Sequence, residues 1–104
     1  MAQFTNTFLS LPQSLQGFLR HLVQEIGPDS IFLFGSRARG THRENSDFDL
    51  AVKLSHPPGP AWTKLLLELE YEPYTLQKVD LLLYDSLNES YRKNIDKEGV
   101  VIYG

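Results

Sequence analysis

Seven residues, Ser46-Asp-Phe-Asp-Leu-Ala-Val52, restrict the fold more than any other part of this chain. Polar and apolar residues alternate, so an extended strand points Asp47, Asp49 and Ala51 to one face and Phe48, Leu50 and Val52 to the other. A sheet built on such a strand buries one face under helices and leaves the acidic face open. Two carboxylates two residues apart sit roughly 7 Å apart along a strand, and paired divalent ions in phosphoryl-transfer sites lie about 3.5–4 Å apart. The pair can therefore grip both ions from one side. Magnesium, which takes hard oxygen ligands and keeps waters and substrate phosphates in its other positions, needs few protein carboxylates. An isolated Asp-x-Asp reads first as the solvated face of an edge strand, and it is the residues upstream that override that reading.

Upstream, the apolar run Ile31-Phe-Leu-Phe34 ends in Gly35-Ser36, with Gly40 just beyond. A strand breaking at Gly-Ser into a short helix exposes backbone N–H groups that can hold an anion. Ser36 adds a hydroxyl, and Arg37 and Arg39 can neutralise phosphate charge. Gly35 and Gly40 have P-loop spacing, but Thr41-His42 stands where Lys-Ser/Thr is required. Asn45, Asp47 and Asp49 imitate the start of a calcium loop, but Leu50 replaces its turn glycine and the twelfth-position glutamate is missing.

What remains, Gly-Ser, ten residues and Asp-x-Asp, resembles the signature of the DNA polymerase β-type nucleotidyltransferase superfamily. The fuller string Gly-Ser-Arg-Ala-Arg-Gly followed by Ser-Asp-Phe-Asp-Leu is similar to its minimal nucleotidyltransferase branch, and the likeness continues to the C-terminal Glu98-Gly-Val-Val-Ile-Tyr103. The resemblance implies an α/β or α+β fold with a mixed sheet of four or five strands. It also implies a third metal-binding carboxylate on a neighbouring strand. Asp80, between Val79 and Leu81, takes that position if the Phe48, Leu50, Val52 and Val79, Leu81, Leu83 faces lie on the same side of the sheet. Asp47, Asp49 and Asp80 then become the catalytic metal ligands for two Mg2+ ions, with Gly35, Ser36, Arg37 and Arg39 on the phosphates of ATP.

A length of 104 residues allows one core and one domain. Cysteine is absent, which removes disulfides and thiolate zinc sites. No apolar run exceeds four residues and no basic segment precedes one near Met1, so the expected location is the cytoplasm, without a membrane span or secretory signal. A net charge of −3 argues against a broad nucleic-acid surface.

The spacing predicts a helix over 15–26 with Leu15, Phe18, Leu19, Leu22, Val23 and Ile26 buried, stopped by Gly27-Pro28. His21 falls off that stripe and reads as solvated. Residues 1–9 have no clear period and are expected to be loosely attached. His42 and His56 fall in loops as surface histidines. A second helix is predicted over 61–72, with Trp62, Leu65, Leu66 and Leu69 inward and Leu67 and Tyr71 exposed, where apolar pairs can mark a partner surface. A strand over 76–84 carries Asp80. Ser86 and Glu89 read as a capping box for a helix burying Leu87, Tyr91 and Ile95, and Val100–Tyr103 forms a last strand. Helices are expected on the apolar face of the sheet, with the aspartate face open.

Minimal nucleotidyltransferases are commonly paired with a small helical protein of the HEPN type, in toxin–antitoxin modules where the enzyme adenylylates a tyrosine of its partner. The resemblance therefore implies a protein adenylyltransferase acting as antitoxin. The alternative class is a non-catalytic binding subunit that neutralises a helical partner by forming a complex with it.

Overall fold

The computed structural model describes residues 2–41, 46–71 and 78–104. Helix α1 (Asn6–Leu9) and helix α2 (Gln13–Ile26) precede strand β1 (Ser30–Phe34), the short helix α3 (Ser36–Arg39) and strand β2 (Phe48–Lys53). Helix α4 (Gly59–Tyr71), strand β3 (Val79–Leu83), a 3-10 turn (Tyr84–Ser86), helix α5 (Glu89–Glu98) and strand β4 (Val100–Tyr103) complete the chain. The strands form one mixed sheet in the order β3-β2-β1-β4. β1 runs antiparallel to β2 and β4, while β2 and β3 are parallel, so they need the crossover that α4 provides.

The register places residues in transverse rows. Leu33, Leu50 and Leu81 share one row and Ile31, Val52 and Leu83 another, all facing α2 and α4. Phe18, Leu19 and Leu22 of α2 and Leu65 of α4 close this core. α2 ends where Gly27 turns left-handed at φ 53° and returns its N–H to the Val23 carbonyl. In α4, Pro60 sits in the first turn, where a missing N–H costs nothing. Leu66, expected inside, is 38% exposed, because a core stripe as narrow as Trp62, Leu65 and Leu69 leaves no room for it. Leu67 and Tyr71 are exposed as the spacing predicts.

Further features depart from the sequence reading, among them Tyr91, expected inside but exposed on α5. Helices do not occupy one face alone: α5 packs on the aspartate face, where Ile95 is buried against Phe34 and Ala51. The small Ala51 allows the close approach, and Tyr84 anchors the helix by donating its hydroxyl to Asp96 at 2.8 Å. The cap of α5 is Asn88, whose side chain accepts the Tyr91 N–H at 2.8 Å. Ser86 instead donates to the Leu83 carbonyl inside the 3-10 turn. The N-terminal stretch is also tied down. Phe8 is fully buried, Phe4 bridges to Tyr103, and the Thr5 N–H donates to Ile102 on the sheet edge.

The histidines are engaged as well. His21 joins α2 to α4, its Nε2 3.2 Å from Glu68 Oε2, although the contact lies off the line of a hydrogen bond. His56 Nε2 and Nδ1 lie 2.9 Å from the carbonyl oxygens of Ile26 and Pro57. Both partners only accept, so the ring that satisfies both is the doubly protonated one. The Pro57 and Ile26 carbonyls accordingly hold its pKa above the ordinary value of 6.5. A raised histidine pKa contributes stability that is complete below the unfolded value and lost as pH rises through the folded one. The melting temperature of the wild-type protein is therefore expected to fall more steeply than that of His56→Gln as pH rises from about 6 to 9. Parallel pH profiles in calorimetry would refute this. His42 lies outside the described residues.

Candidate active site

β1 delivers the chain to Gly35, which adopts φ 75° and ψ −156°. The backbone then closes into α3, with the amides of Ala38 and Arg39 donating to the Gly35 carbonyl at 3.1 Å. The first amides of such a turn lie ahead of its i→i−3 and i→i−4 bonds, as at any helix start. Gly35 also lies directly against the next strand, where a Cβ would collide with Asp49 Oδ2. An anion held by the turn is thus beside that carboxylate.

Phe34, Asp49 and Asp80 form one row across β1, β2 and β3. Asp80 is not turned beneath the helices: Val79, Leu81 and Leu83 enter the same core as Phe48, Leu50 and Val52, which puts Asp80 on the face of Asp49. The two residues are direct partners in the parallel β2–β3 register, so their carboxyl groups lie side by side. Asp49 is raised from its ordinary pKa, first by burial, then by the charges of Asp80 and Asp47 and the hydrogen bond to Asp80, with Arg39 opposing. Asp47 acts from just before β2. Among the described residues, no three acidic or imidazole side chains are yet gathered as a cation cage. The donor set fits a divalent cation nonetheless. Hard carboxylate oxygens, partly desolvated and gathered close together, gain most from a nearby positive charge.

A cavity of about 260 Å³ opens beside this row. Gly35, Arg39 and Asp49 line one wall; Tyr91, Asn94 and Glu98 of α5 line the other.

The family model described as polymerase beta nucleotidyltransferase matches residues 18–104. This chain belongs to that nucleotidyltransferase family. A curated relative from Methanocaldococcus jannaschii, named as a protein adenylyltransferase, is 37% identical over 96 residues, covering 91% of this chain and 96% of the relative. A structure described as a minimal nucleotidyltransferase superposes with a TM-score of 0.66 at 28% identity, covering 89% of this chain and 93% of the other. A toxin–antitoxin structure with AMP-PNP gives a TM-score of 0.63 at 25% identity, covering 88% and 72%.

Within this nucleotidyltransferase the two arginines part company. Arg39 faces the cavity, its Nη1 3.1 Å from Glu98 Oε2. Arg37 points to the other side of the sheet, bonding the Ser46 carbonyl at 3.0 Å and lying 4.2 Å above the Phe48 ring. Two residues apart on a helical turn are about 200° apart in direction, so one ligand cannot recruit both from the same side. Arg37 therefore braces the approach to β2. Sequence reasoning missed Lys78, whose Nζ is 3.6 Å from Asp80 Oδ1, and the cavity wall on α5. Tyr91, Asn94 and Glu98 carried a signal, since steps of three and four residues share one helical face.

Proposed function

We propose that this nucleotidyltransferase transfers AMP from ATP to a tyrosine hydroxyl of a small helical HEPN-type toxin and so acts as its antitoxin. The observation that carries the reading is the pairing of Asp49 with Asp80 in one row of the sheet, with Asp49 seated against the Gly35 turn. The names of the relatives support the finer points: one is a protein adenylyltransferase, and one structural neighbour is a toxin–antitoxin complex containing AMP-PNP.

Asp47, Asp49 and Asp80 would hold two magnesium ions, which when bound neutralise phosphate charge and make the acceptor hydroxyl easier to deprotonate. The amides of the Gly35-Ser36 turn and the Ser36 hydroxyl hold the β- and γ-phosphates, and Arg39 adds positive charge. The acceptor oxygen attacks the α-phosphorus in line. As that bond forms, the bond to the β-phosphate oxygen breaks, pyrophosphate leaves, and the hydroxyl proton passes to the Asp80 side of the site. Positioning and electrostatics supply most of such catalysis. Arg37 supports the loop and not the nucleotide.

Incubation with α-labelled ATP, magnesium and the product of the adjacent gene tests the proposal. Label on a tyrosine of the partner, absent when magnesium is chelated, is the expected result. A tight complex that never acquires label would replace transfer by neutralisation through occlusion.

A further inference from the structure

The geometry points to Tyr91 and Asn94 on α5 as the seat of the nucleobase, with adenine preferred; this rests on the nucleotidyl-transfer reading and fills a part of the site that reading leaves unassigned. A triphosphate held at the Gly35 turn beside Asp49 occupies one wall of the cavity, and α5 forms the wall facing it. Tyr91 and Asn94 lie three residues apart on α5, so they present one surface to that space.

The Tyr91 ring is braced against Phe34, edge to face with centroids 5.9 Å apart and an interplanar angle of 85°. Phe34 is itself buried and immediately precedes Gly35, so the bracing fixes the ring relative to the phosphate turn. Tyr91 nevertheless remains 44% exposed. A half-open aromatic, held on one side and lining a cavity of mixed polar and apolar character, is suited to stacking a base. The Asn94 side chain is exposed and makes no hydrogen bond to the described residues. Its amide offers a donor and an acceptor together, matching the amino group and ring nitrogen that adenine presents side by side. Guanine presents two acceptors on the corresponding edge, which one amide cannot match. Glu98, one turn further along, holds Arg39 at 3.1 Å and so keeps that guanidinium at the phosphate end of the cavity.

Titration calorimetry in magnesium, with ATP, GTP and inorganic tripolyphosphate as separate ligands, tests this on the wild-type chain, Tyr91→Ala, Tyr91→Phe and Asn94→Ala. Wild type is expected to bind ATP about tenfold or more tighter than tripolyphosphate. Tyr91→Ala should lose that margin while keeping its tripolyphosphate affinity, which also reports an intact fold. Tyr91→Phe should retain it, and Asn94→Ala should narrow the preference for ATP over GTP. Equal binding of ATP and tripolyphosphate by wild type overturns the inference and leaves the metal and phosphate site standing. Equal losses for both ligands in Tyr91→Ala also overturn it, by making the ring structural. Binding of neither ligand to wild type removes the underlying nucleotidyl-transfer reading along with it.

Discussion

Replacing Asp49 by asparagine is expected to lower nucleotidyl transfer by a factor on the order of 10² to 10³ or more, and at the same time to raise the melting temperature at neutral pH. Both effects come from one arrangement. Burial, the charges of Asp80 and Asp47 and the hydrogen bond to Asp80 all push the Asp49 pKa above its ordinary value of 3.8. A carboxyl group raised on folding binds its proton more tightly in the native state. Stability is therefore lost as pH rises from the unfolded value through the folded one, as a carboxylate forms beside its acidic neighbours. Asparagine removes that repulsion along with the proposed metal ligand. The stabilisation should shrink as the pH approaches 3.8. Magnesium should raise the melting temperature of wild type and leave Asp49→Asn nearly unchanged. Transfer at the wild-type rate, or a mutant that melts below wild type at neutral pH, would contradict the assignment. Sites that concentrate like charge for catalysis commonly lose stability by doing so.

Gly35→Ala should damage the same site by a different route. Gly35 occupies a region of backbone space that is nearly closed to residues with a Cβ, at a cost of about 1–3 kcal/mol. The new methyl would also run into the Asp49 carboxylate. Relief by moving the carboxylate displaces a proposed metal ligand, and a misplacement of about 1 Å at a catalytic site can cost about 10²-fold in rate. Gly40→Ala separates the two effects. Gly40 also has φ 75°, but a Cβ there meets nothing within 4 Å. It should lose about 1 kcal/mol of stability with transfer close to wild type. Denaturant melts and labelled-ATP assays on both variants measure the contrast. Equal activity in the two would mean that the close approach to Asp49 is incidental.

The parts of this structure legible in the sequence are those written in local period. Alternation over Ser46–Val52 and around Asp80 placed the carboxylates opposite the core, and the core stripe of α2 follows directly from its three-and-four spacing. What local period does not encode is which distant surface a short element meets. Ile95 was readable as buried, but its seat on Phe34 and Ala51 depends on the sheet being assembled first. Phe4 and Phe8 are held by β4 at the opposite end of the chain, so no window around them reveals it. Ser86 and Asn88 are both good caps, and the 3-10 turn after β3, which engages Ser86, decides between them. Arg37 and Arg39 were separable in principle from their two-residue spacing once the turn was read as helical.

The parallel pairing of β2 with β3 has a consequence for when the protein becomes competent. The β1–β2 hairpin alone would carry Asp49 beside Gly35, yet lack the acid that faces it across the sheet. Asp80 arrives only after α4 has carried the chain across the back of the sheet, a long-range and slow event by comparison with closing a hairpin. The cation site proposed at Asp49 and Asp80 would thus be complete only once that crossover is in place, and a partly unravelled copy would spend no nucleotide.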